Sequence, residues 1–439
     1  MASVPVCEDE MYEMAALAAC DAVPALSTMS TDDRTSLLNG WAEQVDARRA
    51  ALARMLHRES AVPLVWADIE VERAAEALRR AASESEHAVP ESVPALTESE
   101  EAALPADLTM RHPVGTVGAI LPDRHPLFYA AQLAGASMIT GCPLVLLCSP
   151  LVPLAVMELM QLGSHQPWPP GSLNLIFGSN RDLGRKLAQD SRLTLVVLAG
   201  STRDREAFGR VRGQRPMISV GAGFGCALVD RSADVTQVVT DLLAMRFRRP
   251  HIGRVPIHFV LAPENLTSRL TDALTAGVQS LTAAAADDPA AEVPWQITES
   301  LARRAEEWLE TMVQSGGIVV CGGRRRGSWI APALITAPAG LEAIAPPPHH
   351  APFLIVDSYD KRPGRQLRRF PHIEEASIFT SDVQSALKLI GVPNVSRVDV
   401  YTTRSGQSTS RPGADDREQL QHLIAGMTRR KRVELHLAG

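Results

Sequence analysis

The chain has 439 residues, of which 45% are hydrophobic and 21% charged, and its formal net charge is −6. That length supports two or three domains with sizeable cores. The acidic balance argues against a dedicated nucleic-acid surface, and no stretch has the length and purity of a membrane-spanning helix. The first residues, Met1 to Met14, are acidic and carry no signal-peptide pattern, so a cytoplasmic protein is expected. The six cysteines (Cys7, Cys20, Cys142, Cys148, Cys226 and Cys321) form no CxxC pair and no zinc-like spacing with histidine. Free thiols and no metal site are therefore expected.

Residues 7 to 87 read as helices. Thr31-Asp32-Asp33 offers an N-cap with acids in the first turn, and apolar positions recur at helical spacing from there to about Leu56. Glu59 to Ala82 is a further amphipathic helix, and residues 83 to 112 are polar with several Pro and Glu. Met110 to Pro153 is the clearest unit in the chain. An apolar run from Val114 to Leu121 is broken at Pro122-Asp123-Arg124-His125-Pro126. A helical pattern rich in small residues then runs to about Thr140, Gly141 stops it, and a second apolar run covers Leu144 to Leu147. Strand, loop, helix and strand in this order make a parallel pair with a right-handed crossover. The small residues at Ala130, Ala131, Ala134, Gly135 and Ala136 are expected to let the helix sit close on the sheet.

Residues 170 to 202 repeat the strand, glycine turn, helix and strand pattern. Gly221-Ala222-Gly223-Phe224-Gly225 has the glycine spacing of a phosphate-loop fragment but lacks the Lys and Ser/Thr of a P-loop. No Cys, Ser or Thr occurs between Thr240 and Thr267. Residues 267 to 318 read as helical, Thr402 to Asp416 as a polar tract, and Arg429 to Leu437 as a strand. The basic run Thr428 to Arg432 reads first as gatekeeper charge on a strand edge, and second as a contact for an acidic partner.

Met110 to Pro153 resembles the first βαβ unit of the aldehyde dehydrogenase superfamily, P-x-G-x-x-x-x-I-x-P-W-N-x-P-L and then G-N-x-V-V-x-K-P-S. Pro113, Gly115, Gly118, Ile120, Pro122, Pro126, Leu127, Gly141 and Ser149 fit. Further along, Glu70-Val71, Gly178, Gly184, Gly200-Ser201-Thr202, Gly221, Ala233-Asp234, Gly322-Gly323, Ile378 to Asp382, and Arg417-Glu418 fit the family's later blocks. The resemblance covers nearly the whole chain and implies an α/β fold with a Rossmann-like parallel-sheet domain, a second α/β domain and an oligomerisation strand. The domains it implies are 1–82 with 108–234 (the former cofactor domain), 83–107 with 417–439 (oligomerisation), and 235–416 (the former catalytic domain). In the family the last strand extends a neighbour's sheet, so a homodimer or a dimer of dimers is expected.

The positions that carry the family's chemistry differ. Aligned from either flank, the nucleophile falls on Ile252 or Gly253, the general-base Glu on Ser219, and the oxyanion-stabilising Asn on Arg124. The adenine-ribose Lys falls on Leu147, the nicotinamide-ribose Glu on Pro348, and the helix-start Gly of the pyrophosphate turn on Arg205. Ser149, Gly200 and Ser201 are what is left of the cofactor site. A covalent thiohemiacetal requires a thiolate, and the loop has none. The expectation is therefore no cofactor, with NAD(P) as the ancestral one.

Arg124, His125, Arg248, Arg249, His251, Arg254, His258, His349 and His350 fall on segments that the resemblance places at the cleft. Histidine suits proton transfer near neutral pH and arginine suits an anion. His251, His350, Arg124 and Arg254 are the leading candidates for a reused site. Three functions compete: non-redox acid–base chemistry or binding of an anionic small molecule in that cleft, a non-catalytic subunit acting through its interface, and a dehydrogenase with an atypical site.

Overall fold

The computed structural model describes residues 6–85, 107–200, 202–221, 223–248, 252, 255–282, 288, 291–337, 347–348, 351–361, 363–368, 370, 373–391, 394–395, 397–402 and 414–434. It contains two compact units. The first comprises Met1–Met55, Asp68–Val220 and Gly413–Gly439, and the second Leu56–Ala67 and Gly221–Pro412.

The first unit is built on five parallel strands: β2 (Val117–Ile120), β3 (Leu144–Cys148), β4 (Leu173–Phe177), β5 (Leu195–Ala199) and β6 (Met217–Val220), in the order β4-β3-β2-β5-β6. Every residue of β2, β3 and β5 is buried, as continuous apolar runs in a sheet covered on both faces require. The helix Pro126–Thr140 crosses from β2 to β3 and is buried throughout. Pro126 opens it, and Gly141, at φ 79°, closes it in the left-handed conformation.

The small face of this helix admits a further neighbour besides the sheet. A Cβ on Gly135 would lie 2.8 Å from the Cβ of Ala81, so the small residues admit the helix Leu64–Ser83. The cap of the second helix, Thr31–Ala47, also lies one residue earlier than expected: the Ser30 hydroxyl accepts the Asp33 N–H, and Asp32 and Asp33 occupy the first turn. The helical run expected to continue to Leu56 is divided at Arg48 into Thr31–Ala47 and Arg49–Ser60.

β1 (Asp107–Pro113) and β16 (Thr428–Glu434) form a separate antiparallel pair, in register from Asp107 opposite Glu434 to Pro113 opposite Thr428. The last strand, expected as an isolated edge, is thus already paired on one side within its own chain. Residues 86–106 and 435–439 lie outside the described residues.

The second unit holds seven strands in the order β15-β14-β7-β8-β13-β12-β9: Arg397–Thr402, Ile373–Thr380, Phe224–Val229, Ile257–Pro263, Phe353–Tyr359, Ala333–Thr336 and Ile318–Cys321. All neighbours are parallel except β12 and β9. β10 (Arg325–Arg326) and β11 (Trp329–Ile330) form a separate short antiparallel pair. Phe224–Val229, grouped in sequence with the first domain, pairs here with β8 and β14, because the chain passes from one sheet to the other after Val220. Among the described residues no helix is long and apolar enough to cross a membrane.

Candidate functional site

In the five-stranded sheet the chain starts in the middle at β2 and runs outward through β3 to β4. It then returns across β2 to add β5 and β6 on the other side. The connections leaving the carboxyl ends of β2 and β5 therefore diverge, and such a switch point is where open α/β sheets bind ligands. β2 leads into Leu121 to His125, and β5 leads into Gly200.

Arg124 sits on the β2 connection, half-buried. Its Nε is enclosed and has no hydrogen-bond partner among the described residues. Burial pushes the guanidinium down to about 10, and the carboxylates of Asp123 and Glu70 partly oppose that. The next residue, His125, has φ 54° and ψ 41°, a left-handed backbone that is uncommon outside glycine, and it precedes the helix Pro126–Thr140. Its Nδ1 lies 3.1 Å from Glu70 Oε2, and the Leu127 N–H donates to Glu70 Oε1 at 3.0 Å. One buried carboxylate thus fixes an imidazole and caps a helix.

Gly200 follows β5, and the helix Thr202–Arg212 begins two residues later. A Cβ on Gly200 would meet Leu198 Cδ1 at 3.3 Å and Asp204 Oδ2 at 3.6 Å. Ser201 lies outside the described residues, and Arg205 is exposed. Leu147 is wholly buried in the core with Ile120, Leu183, Leu187 and Phe208, so it offers a ribose no hydrogen bond. The Ser149 hydroxyl is buried and accepts the Leu151 N–H at 3.3 Å. In β6, Ser219 Oγ is enclosed and has no partner among the described residues.

In the second unit Pro348 is half-buried, and His251, Arg254 and His350 lie outside the described residues, as do Arg249 and His349. Of the four leading candidates the structure describes Arg124 alone. His258 is corrected: it is a core residue of β8, wholly buried, with Nδ1 2.8 Å from the Pro256 carbonyl and its ring edge-on to Phe224. Arg248 is paired with Glu292 at 2.7 Å. Cys148 and Cys226 are buried in strands, as small hydrophobes, and burial pushes the Cys226 thiol up.

Sequence reasoning missed the pairing of Glu70 with His125, although both residues stood out separately. They are 55 positions apart, and no local pattern links them. It also missed Arg246, which is buried and donates to the carbonyls of Phe353 and Ala351. An arginine beside a charged loop carries no sign that it will face inward.

Residues 1–413 match the model of the aldehyde dehydrogenase family. The chain belongs to that family. Succinate-semialdehyde dehydrogenase of Oryza sativa subsp. japonica is 22% identical over 302 residues, covering 68% of this chain and 56% of that protein. The chain thus matches little more than half the length of this relative. 3-Sulfolactaldehyde dehydrogenase of Priestia megaterium is 23% identical over 389 residues, 88% of this chain and 81% of that one. Among solved structures, the glyceraldehyde-3-phosphate dehydrogenase of Methanocaldococcus jannaschii superposes with a TM-score of 0.82 at 20% identity, covering 98% of this chain and 95% of that one. The NADP-dependent glyceraldehyde-3-phosphate dehydrogenase of Bacillus halodurans superposes with a TM-score of 0.85 at 20% identity, covering 99% and 93%. These likenesses establish the aldehyde dehydrogenase fold.

They also correct the expectation that no cofactor is held. Both solved structures are complexes with NADP, and a further relative, from Escherichia coli, is named for NADP(+), which points to a nicotinamide cofactor. The changes at Leu147, Pro348 and Arg205 do not outweigh this. Leu147 removes one polar contact, and Arg205 is exposed.

Proposed function

We propose that this aldehyde dehydrogenase-family protein holds a nicotinamide dinucleotide at the carboxyl edge of its five-stranded sheet but does not oxidise aldehydes through a thiohemiacetal. Its Arg and His residues instead serve a small anionic molecule, by acid–base chemistry or by binding. The cofactor reading is supported by the NADP complexes among its structural relatives and by residues of this chain that suit the group. The chain leaves β5 at Gly200 and starts the helix Thr202–Arg212 two residues later, at the sheet edge where open α/β sheets bind their ligands. Apolar Leu147 contributes packing there and no ribose hydrogen bond. When bound, a nicotinamide supplies a hydride acceptor.

The observation that carries the loss of thiol chemistry is the stretch from Asp241 to Leu266, which contains no Cys, Ser or Thr. It offers no thiol or hydroxyl to form a hemiacetal-type adduct with a carbonyl. The remaining thiols do not substitute, since five of the six are buried and Cys20 is half-buried. Ser219, in place of the general base, has no carboxylate to take a proton from water. For the ligand itself, Arg124 supplies the anion contact in the first unit, and His251, Arg254 and His350, in the second, remain proposed residues of a reused site. The protein is proposed to act as a homodimer or a dimer of dimers through the β1–β16 pair, whose outer edges pair with no other strand among the described residues.

The test is turnover. With NAD or NADP and a panel including succinate semialdehyde and glyceraldehyde 3-phosphate, no reduced nicotinamide should form above the rate without enzyme. Steady formation, abolished by substituting a cysteine of the chain, would overturn the reading.

A further inference from the structure

The half-buried imidazole of His125 is unusual in being held on one nitrogen only, by a buried carboxylate, from a backbone conformation that histidine rarely adopts. We propose that Glu70, His125 and Arg124 form a proton-accepting site for a small carboxylate or phosphate ester at the carboxyl end of β2. This rests on the proposed function only in placing an anion at Arg124.

A carboxylate accepts hydrogen bonds and donates none, so at the 3.1 Å contact with Glu70 Oε2 the Nδ1 of His125 carries the hydrogen. That fixes the tautomer: Nε2 keeps its lone pair and has no hydrogen bond among the described residues. The Glu70 side chain is 4% exposed and is held on its other oxygen by the Leu127 N–H, so it cannot swing away. The His125 side chain retains 17% exposure, which leaves a route to the free nitrogen. The left-handed φ of 54° turns this residue back toward the helix Leu64–Ser83, where Glu70 lies. Strain of about 1 kcal/mol persists only where surrounding contacts over-determine it, and Glu70 supplies two.

Arg124 supplies the second half of the site. Its charge is felt by the same Glu70 carboxylate, yet its enclosed Nε has no partner. A buried guanidinium donor without an acceptor is costly, and an anionic oxygen satisfies it. Alongside a helix already capped by Glu70, the anion finds its contact on Arg124 and not on helix N–H groups. The proton of a substrate O–H or of an acidic C–H passes to His125 Nε2. The Nδ1 proton stays on its bond to Glu70, and the imidazolium that results faces that carboxylate.

The test uses the full chain and diethyl pyrocarbonate, which acylates an unprotonated imidazole nitrogen, with peptide mass spectrometry reporting each histidine. His125 should be acylated, with exposed His165 and His422 as internal references. In Glu70→Gln the amide oxygen keeps the Leu127 N–H, while its NH2 donates to Nδ1 and drives the proton to Nε2. Acylation at His125 should then slow roughly tenfold while the references do not change. Inorganic phosphate or acetate should protect His125, the stronger protector naming the ligand class, and the protection should be lost in Arg124→Gln. An unreactive His125, an unchanged rate in a folded Glu70→Gln, or protection that survives Arg124→Gln each overturns the proposal. Should Glu70→Gln fail to fold, the protection experiment decides alone. Aldehyde turnover would defeat the functional reading without touching this result, and failure here leaves the absence of thiol chemistry intact.

Discussion

Replacing Glu70 by alanine tests how much one buried carboxylate holds. The side chain is 4% exposed and makes two contacts, to the His125 ring and to the Leu127 N–H. Losing the helix cap costs about 1 kcal/mol. Leaving the imidazole N–H without an acceptor adds about 1.5 kcal/mol, and the partly collapsed cavity adds about 1 kcal/mol. Freeing His125 from its left-handed backbone returns about 1 kcal/mol, so the net loss is about 2.5 kcal/mol, or roughly 70-fold in an opening equilibrium. A chain of two units need not unfold in one step, so hydrogen exchange over residues 126–140, measured by mass spectrometry, is the suitable assay. Exchange there should accelerate by about that factor in Glu70→Ala and by less than about threefold in Glu70→Gln, which keeps an acceptor for the helix. Native protection in Glu70→Ala would refute the reasoning, since the cap would then hold nothing.

Calorimetry with NADP should show saturable binding, and a chain that binds neither NAD nor NADP would remove the cofactor from the account. Asp190, which accepts from the Tyr12 hydroxyl and pairs with Arg192, anchors the first helix. Burial alone would raise its pKa, but Arg192 and Tyr12 more than offset that and hold it below the ordinary range. A lowered folded pKa gives stability that is present above the unfolded value of about 3.9 and is lost as pH falls through the folded one. Asp190→Asn should therefore destabilise at pH 7, with the difference shrinking as pH falls below the unfolded value, and a difference independent of pH would exclude the ion pair as its source. Deleting residues 427–439 removes β16 and should yield monomer or aggregate in light scattering, whereas an unchanged oligomer would place the interface elsewhere.

Much of the fold was legible in the sequence because its signals are local. Val117 to Ile120, Leu144 to Cys148 and Leu195 to Ala199 are continuous apolar runs, and a strand covered on both faces needs nothing more. Gly141 marked a helix end because only a left-handed residue closes it well. What packs on a small helix face was not legible: Gly135 announces a close neighbour but not that the neighbour is Ala81 rather than a strand. The site divided in the same way. The missing thiol is a fact of composition over one loop, so sequence suffices for it. Whether a histidine is a core residue, as His258 is, or is held by a distant carboxylate, as His125 is, depends on partners that tertiary packing supplies. The cofactor was misjudged because three side-chain differences, at Leu147, Pro348 and Arg205, were given more weight than a fold shared with NADP-bound relatives.

The measurement that bears most directly on the central claim is the intact mass of the protein after incubation with succinate semialdehyde and NADP, followed by peptide mapping of all six cysteines, with absorbance of the reduced nicotinamide followed in parallel. The chain should keep its native mass, no cysteine should carry an acyl group, and no reduced cofactor should accumulate. A thioester on any cysteine, formed in step with reduced nicotinamide, would contradict the account and restore dehydrogenase chemistry to this fold.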